Sequence, residues 1–179
     1  MNYIGSKRKL ADRIFSEINS RAKNGVFCDL FAGTGAVAEK FTDYDKLLVN
    51  DWETYSSLVL SQKFSFDKPD DLTEKLIFLN NCEPVQGFIT DHYSPIGDRM
   101  YFTIDNAMKI DGIRIAIEEN MGYKESHYFI ALLLHAADSV ANTASVYGAY
   151  LKSFKQTSKK FLNLIDRQKF SYKGEVFCS

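Results

Sequence analysis

Leu10, Ile14, Phe15 and Ile18 recur at helical spacing with polar residues between them, which predicts a helix over residues 9–22, closed by Gly25. Val26-Phe27-Cys28-Asp29-Leu30-Phe31 is a short apolar run, long enough for a buried strand. Ala32-Gly33-Thr34-Gly35 turns the chain, and Ala36, Val37, Ala38 and Phe41 then return to helical spacing. Residues 46–50 read as a second strand, closed by Asp51, and residues 52–64 and 70–80 as helices. This alternation predicts an α/β fold with a doubly wound sheet.

The middle of the chain breaks the alternation. Residues 81–103 carry Pro84, Pro95, Gly87 and Gly97 and read as loop. Helical spacing resumes over 105–120, 126–143 and 156–166, and Gly174-Glu175-Val176-Phe177-Cys178-Ser179 reads as a strand. The expected organisation is an α/β part over 1–80, a helical and loop insert over 81–170, and the start of a further sheet strand over 171–179.

Composition keeps the chain globular. Its 179 residues are 45% hydrophobic and 14% aromatic, which excludes wholesale disorder and a disulfide-held mini-protein. No apolar run is long enough to span a membrane, and the basic N-terminus lacks the apolar stretch of a signal peptide. Cys28, Cys82 and Cys178 lack metal-ligand spacing, so no metal site is expected and a reducing cytoplasm fits. The net charge of −1 hides a segregation: twelve acids against six bases over 67–125, then seven bases and one acid over 151–174. Such a basic stretch either meets a polyanion or is a solvated face.

The strongest chemical signal is Asp29-Leu30-Phe31-Ala32-Gly33-Thr34-Gly35. A strand entering a Gly-x-Gly turn lets a ligand approach the backbone. Asp51 follows Gly35 by 16 residues, at the end of the next strand, where a carboxylate can accept from both hydroxyls of a ribose. The third glycine of the dinucleotide fingerprint is absent, as is the Gly-Lys-Ser/Thr of a P-loop. Asp29 before the turn repels a pyrophosphate and suits the amino group of an amino-acid tail. These features favour S-adenosylmethionine over a nicotinamide dinucleotide. The alternative is a helix-capping turn in an unrelated α/β protein.

Five separated blocks resemble the D12 class of adenine-specific (N6) DNA methyltransferases: Asn2-Tyr3-Ile4-Gly5-Ser6-Lys7, the stretch 29–41, Asn50-Asp51, the stretch 94–103 and the stretch 140–152. The resemblance implies a Rossmann-like methyltransferase sheet, S-adenosylmethionine as cofactor and double-stranded DNA as substrate, in a bacterial restriction–modification system. It puts Tyr3, Gly5, Ser6 and Lys7 near the methionine carboxylate. Asp29 with Phe31, Ala32, Gly33, Thr34 and Gly35 would form the methionine-tail site, and Asp51 the ribose acid. Trp52, beside Asp51, is a candidate for stacking on the adenine ring. In the insert, Arg99, Asn142, Tyr147, Lys152 and Lys155 are candidate DNA contacts, with helix packing an equal alternative for the tyrosine.

The class also carries a catalytic (Asp/Asn/Ser)-Pro-Pro-aromatic motif, whose acceptors hold the N6 of a flipped adenine. Here Pro69, Pro84 and Pro95 are never adjacent, so no catalytic residue is assigned. The expected chain is therefore an N-terminal portion of such an enzyme, inactive alone. A non-catalytic cofactor- or DNA-binding remnant, or one subunit of a split enzyme, is the alternative. In that fold the strand carrying Asp29 lies between the strand ending at Asp51 and the strand bearing the motif. Its second edge is then expected to be bare, and to recruit the missing half, a partner chain or a second copy.

Overall fold

The computed structural model describes residues 5–144, 148–172 and 174–178; Tyr3 and Tyr147 lie outside the described residues. Contacts divide the chain into two units, Lys68–Asp166 and the described residues that precede and follow it.

The sheet unit opens with helix α1 (Ala11–Asn19), followed by strands β1 (Val26–Asp29) and β2 (Lys46–Val49), helix α2 (Thr54–Phe64) and finally strand β3 (Glu175–Cys178). The strands are parallel in the order β1-β2-β3, with Asp29 opposite Val49 and Val49 opposite Cys178. β2 is central because Leu47 and Val49 are buried, whereas β1 and β3 alternate between exposed and half-buried. Among the described residues β1 pairs only with β2, so its other edge is open, and Val26 on it is exposed. Phe41, Tyr44, Leu47, Val49, Leu60 and Phe64 form the core, and Phe15, Phe27, Phe170 and Val176 pack against it.

The helix expected after the glycine turn is only a 3-10 turn, Ala38–Lys40. Gly33 and Gly35 both have positive φ, 56° and 72°, so the backbone turns twice before a helix can start, and Phe41 leaves helical geometry at ψ 46°. Ala36, Ala38 and Phe41 are nevertheless buried. The spacing reported which residues face inward rather than a helix.

The helical unit contains α3 (Leu72–Asn81), α4 (Phe88–Tyr93), α5 (Ile104–Asn120) and α6 (Tyr123–Val140), with 3-10 turns at Pro95–Gly97 and Gln156–Lys159. α5 buries Ala107, Ile110, Ile113, Ala116 and Ile117, the stripe its spacing foretells. Two expectations fail here. The stretch 81–103 is not all loop: α4 forms because Asp111, buried on α5, accepts from the amides of Ile89 (3.0 Å) and Thr90 (2.8 Å) and from the Thr90 hydroxyl (2.7 Å). That carboxylate caps the first turn of α4 from a neighbouring helix. The stretch 156–166 is not a helix. After Lys159 it runs extended, with Leu162 and Leu164 buried and Phe161, Asn163 and Ile165 exposed, a period of two rather than 3.6. No helix among the described residues is long and apolar enough to cross a membrane.

Candidate functional site

The carboxyl ends of β1 and β2 lie side by side and are stitched together beyond the strands. Asn50 donates its amide to the Asp29 carbonyl (2.9 Å) and its side-chain Nδ2 to the Leu30 carbonyl (2.9 Å), and Ala32 donates to the Asn50 carbonyl (2.9 Å). The Gly33 amide donates to Asp51 Oδ2 (2.7 Å), while Asp51 Oδ1 accepts from the Glu53 amide (3.1 Å). The acid after the second strand thus shapes the glycine turn after the first. Gly35 closes the turn by donating to the Ala32 carbonyl (2.8 Å). A Cβ on Gly35 would come within 2.4 Å of the Phe64 ring, so both its conformation and its surroundings require glycine.

A cleft of about 360 Å³ opens over this turn, lined by Gly5, Ser6, Lys7, Asp29, Phe31, Ala32, Gly33 and Thr34, with Ile14, Ile18, Phe27 and Val37 as apolar walls. Asp29 is half-buried, and burial pushes its carboxyl above the ordinary range; the Phe31 amide opposes this, and the nearby Asp51 charge adds to it. An incoming cation would relieve both pressures. Lys7 is the cationic side chain on the lining, its Nζ donating to the Gly5 carbonyl (2.8 Å). Opposite charges on one apolar-walled cleft suit a zwitterion.

Of the residues picked out from sequence, Gly5, Ser6, Lys7, Asp29 and Phe31 to Thr34 therefore share the cleft, and Asp51 is joined to it through Gly33. Trp52 does not line the cleft and is 89% exposed. Phe31 lines it and is also largely exposed. Lys63 and Glu39 escaped sequence reading. Lys63 Nζ lies 2.6 Å from Glu39 Oε1 and donates to the Thr34 carbonyl (2.8 Å).

The insert candidates behave differently. Arg99 is exposed and donates to the His92 carbonyl (2.8 Å). Lys152 is exposed, while Lys155 donates to the Thr143 carbonyl (3.0 Å). Asn142 is a correction: it is fully buried, and its side chain donates to the Met100 and Leu151 carbonyls and accepts from the Lys155 amide. It braces the unit from inside and presents nothing to a nucleic acid. The basic stretch is divided between the units, with Lys152, Lys159 and Lys160 in the helical unit. In the sheet unit, Lys169 pairs with Asp67 (3.0 Å).

The profile of the D12 class N6 adenine-specific DNA methyltransferases matches residues 3–179. The chain is 44% identical over 181 residues to the type II methyltransferase M.NlaIII of Neisseria lactamica, covering 92% of this chain and 53% of that protein. It is 46% identical over 169 residues to the type II methyltransferase M.CviAII of Paramecium bursaria Chlorella virus 1, covering 89% and 52%. It is 38% identical over 172 residues to the type II methyltransferase M.FokI of Planomicrobium okeanokoites, covering 85% and 27%. The chain spans about half the length of the first two curated relatives. No solved structure gives a significant match.

Proposed function

Because the chain belongs to the D12 class of N6 adenine-specific DNA methyltransferases, we propose that it forms the cofactor-holding part of a restriction–modification methyltransferase. In this reading the sheet unit is the first half of a Rossmann-like methyltransferase sheet, and the cleft over the glycine turn takes S-adenosylmethionine. The observation that carries it is the convergence of Lys7, Asp29 and the two-glycine turn on one cleft, with Asp51 hydrogen-bonded to that turn.

The donor set fits the group. Asp29, held above its ordinary range, gains from a positive partner and accepts the amino group of the methionine tail. Lys7 pairs with the tail carboxylate. Asp51 keeps acceptor capacity beyond its bonds to Gly33 and Glu53, and takes the ribose hydroxyls. Ile14, Ile18 and Phe27 keep water from the cleft floor, and Trp52 stands next to Asp51 as a stacking surface for adenine. When bound, S-adenosylmethionine supplies an electrophilic methyl group; the acceptors that would hold an adenine N6 are not in this sequence.

Double-stranded DNA is the macromolecular substrate, and the insert reads it, with Arg99 and Lys152 as exposed contacts. We assign the open edge of β1 to the remainder of the enzyme rather than to a second copy of the chain. The cytoplasm is the compartment this function needs. Calorimetry with S-adenosylmethionine tests the reading. Binding should be measurable for the 179-residue chain and weaker by about tenfold in both Asp29→Asn and Asp51→Ala, the loss of one charged hydrogen-bond partner. Unchanged affinity in both variants overturns the site.

A further inference from the structure

Two of the four residues of the glycine turn are glycines with positive φ, so its shape depends on its contacts, and Ala32 and Gly33 are held from the end of β2. α2 grips the rest of the turn through two consecutive residues. Phe64 packs against Gly35, and Lys63 donates to the Thr34 carbonyl (2.8 Å). The Lys63 side chain is only 18% exposed and that of its partner Glu39 28%, with 2.6 Å between Nζ and Oε1. A half-buried ion pair is a poor stabiliser; an apolar pair of similar volume commonly serves a core as well. What this pair adds is a directional, charged donor aimed at one carbonyl of the turn.

We propose that Lys63 is a positioning residue, with Glu39 as its counter-charge, that locks the Thr34 carbonyl and so sets the glycine turn for ligand binding. Only the consequence for affinity rests on the cofactor reading; the lock itself does not. Phe170 donates its amide to the Lys63 carbonyl (2.7 Å), so the backbone of the lysine is itself anchored.

Burial pushes the Lys63 ammonium below its ordinary range, Glu39 opposes that shift, and Arg8 adds to it. Among the described residues Glu39 and Arg8 are the charges that act on it; Lys169, on the segment packed against α2, is paired with Asp67 instead. The lock needs the protonated ammonium and weakens as pH rises through the lowered lysine value. Removing Glu39 moves that weakening to lower pH.

Amide hydrogen exchange of the full chain tests this, with protection factors of residues 32–36 read against those of β2, alongside calorimetry with S-adenosylmethionine. Lys63→Met should lose about tenfold protection in residues 32–36 with β2 unchanged, and lose about tenfold in affinity, whereas Lys63→Arg restores part of both. In Glu39→Gln, loop protection should fall at a lower pH than in the parent chain. Loosening of the loop in a chain that never binds S-adenosylmethionine supports the lock and overturns the cofactor reading. Unchanged loop protection in Lys63→Met overturns the lock. If Lys63→Met does not fold, Glu39→Gln decides: a pH profile identical to the parent chain overturns it.

Discussion

β2 and the segment Lys160–Ile165 are both extended, and both bury every second residue: Leu47 and Val49 in one, Leu162 and Leu164 in the other. They differ in what satisfies the backbone. β2 lies between two parallel strands, and its amides and carbonyls meet other backbone groups. Among the described residues the segment in the helical unit pairs with no strand. Two asparagines stand in for the missing ladder. Asn106 Nδ2 donates to the Ser158 and Lys160 carbonyls, and its Oδ1 accepts from the Leu162 amide. Asn80 makes a two-way pair with Leu164, donating to its carbonyl and accepting from its amide. Asn142 does the same work one step earlier, on Leu151 and Lys155. A side-chain amide carries the same donor and acceptor as a peptide group, so it can mimic one rung of a sheet. The lesson is about tolerance. A backbone ladder survives changes of side chain, whereas an amide-held segment depends on the identity of a few residues.

The largest effect should come from Asn142→Ala. It removes a fully buried side chain and leaves the Met100 and Leu151 carbonyls and the Lys155 amide, all half-buried, without that partner. A loss of about 3 kcal/mol is expected in urea unfolding, the penalty of more than one unsatisfied buried group. A loss below about 0.5 kcal/mol would show that the stretch from Leu151 to Lys155 does not need its amide rung. Asn106→Asp is a narrower probe. Measured at low pH, where the introduced carboxyl carries its proton, it keeps the acceptor for Leu162 and can donate to only one of the Ser158 and Lys160 carbonyls, so a smaller loss of about 2 kcal/mol is expected. Leu162 should keep its amide protection in that variant, which exchange measurements read directly.

The smallest effect lies in the sheet unit and has the opposite sign. The carboxyl of Asp29 is raised by burial and by Asp51, so the native state holds its proton more tightly than the unfolded chain does. Its contribution to stability is full below the ordinary aspartate range and is lost as pH rises through the raised value. Asp29→Asn should therefore raise Tm at neutral pH by about 2 °C and flatten that part of the pH profile. The same substitution is expected to weaken S-adenosylmethionine. Gain of stability with loss of binding would mark Asp29 as a residue kept for its ligand.

Much of the fold could be read locally. The spacing of Leu10, Ile14 and Ile18, the apolar runs Val26–Phe31 and 46–50, and the stripe on α5 each placed an element within a few residues. The same logic misread residues 36–41, where the apolar positions are buried but two left-handed glycines delay the helix. It misread 156–166 as well: four of the five residues Phe161-Leu162-Asn163-Leu164-Ile165 are apolar, so the sequence shows no period there, and only burial separates Leu162 and Leu164 from Phe161 and Ile165.

By itself the sequence determined the order of strands and turns, the pairing of a Gly-x-Gly turn with an acid at the end of the following strand, and membership of the D12 class. These are signals written within short windows, where backbone geometry and burial period act directly. Tertiary structure alone decided what sets and supports them. Lys63 reaches Thr34 across 29 positions, Asp111 reaches Thr90 across 21, and Asn106 and Asn80 reach the extended segment across 56 and 84. Each of these contacts satisfies a backbone group with a side chain from another element. Nothing in the local pattern around a lysine or an asparagine tells which distant carbonyl it will meet; that follows only once the packed helices and sheet bring the two together.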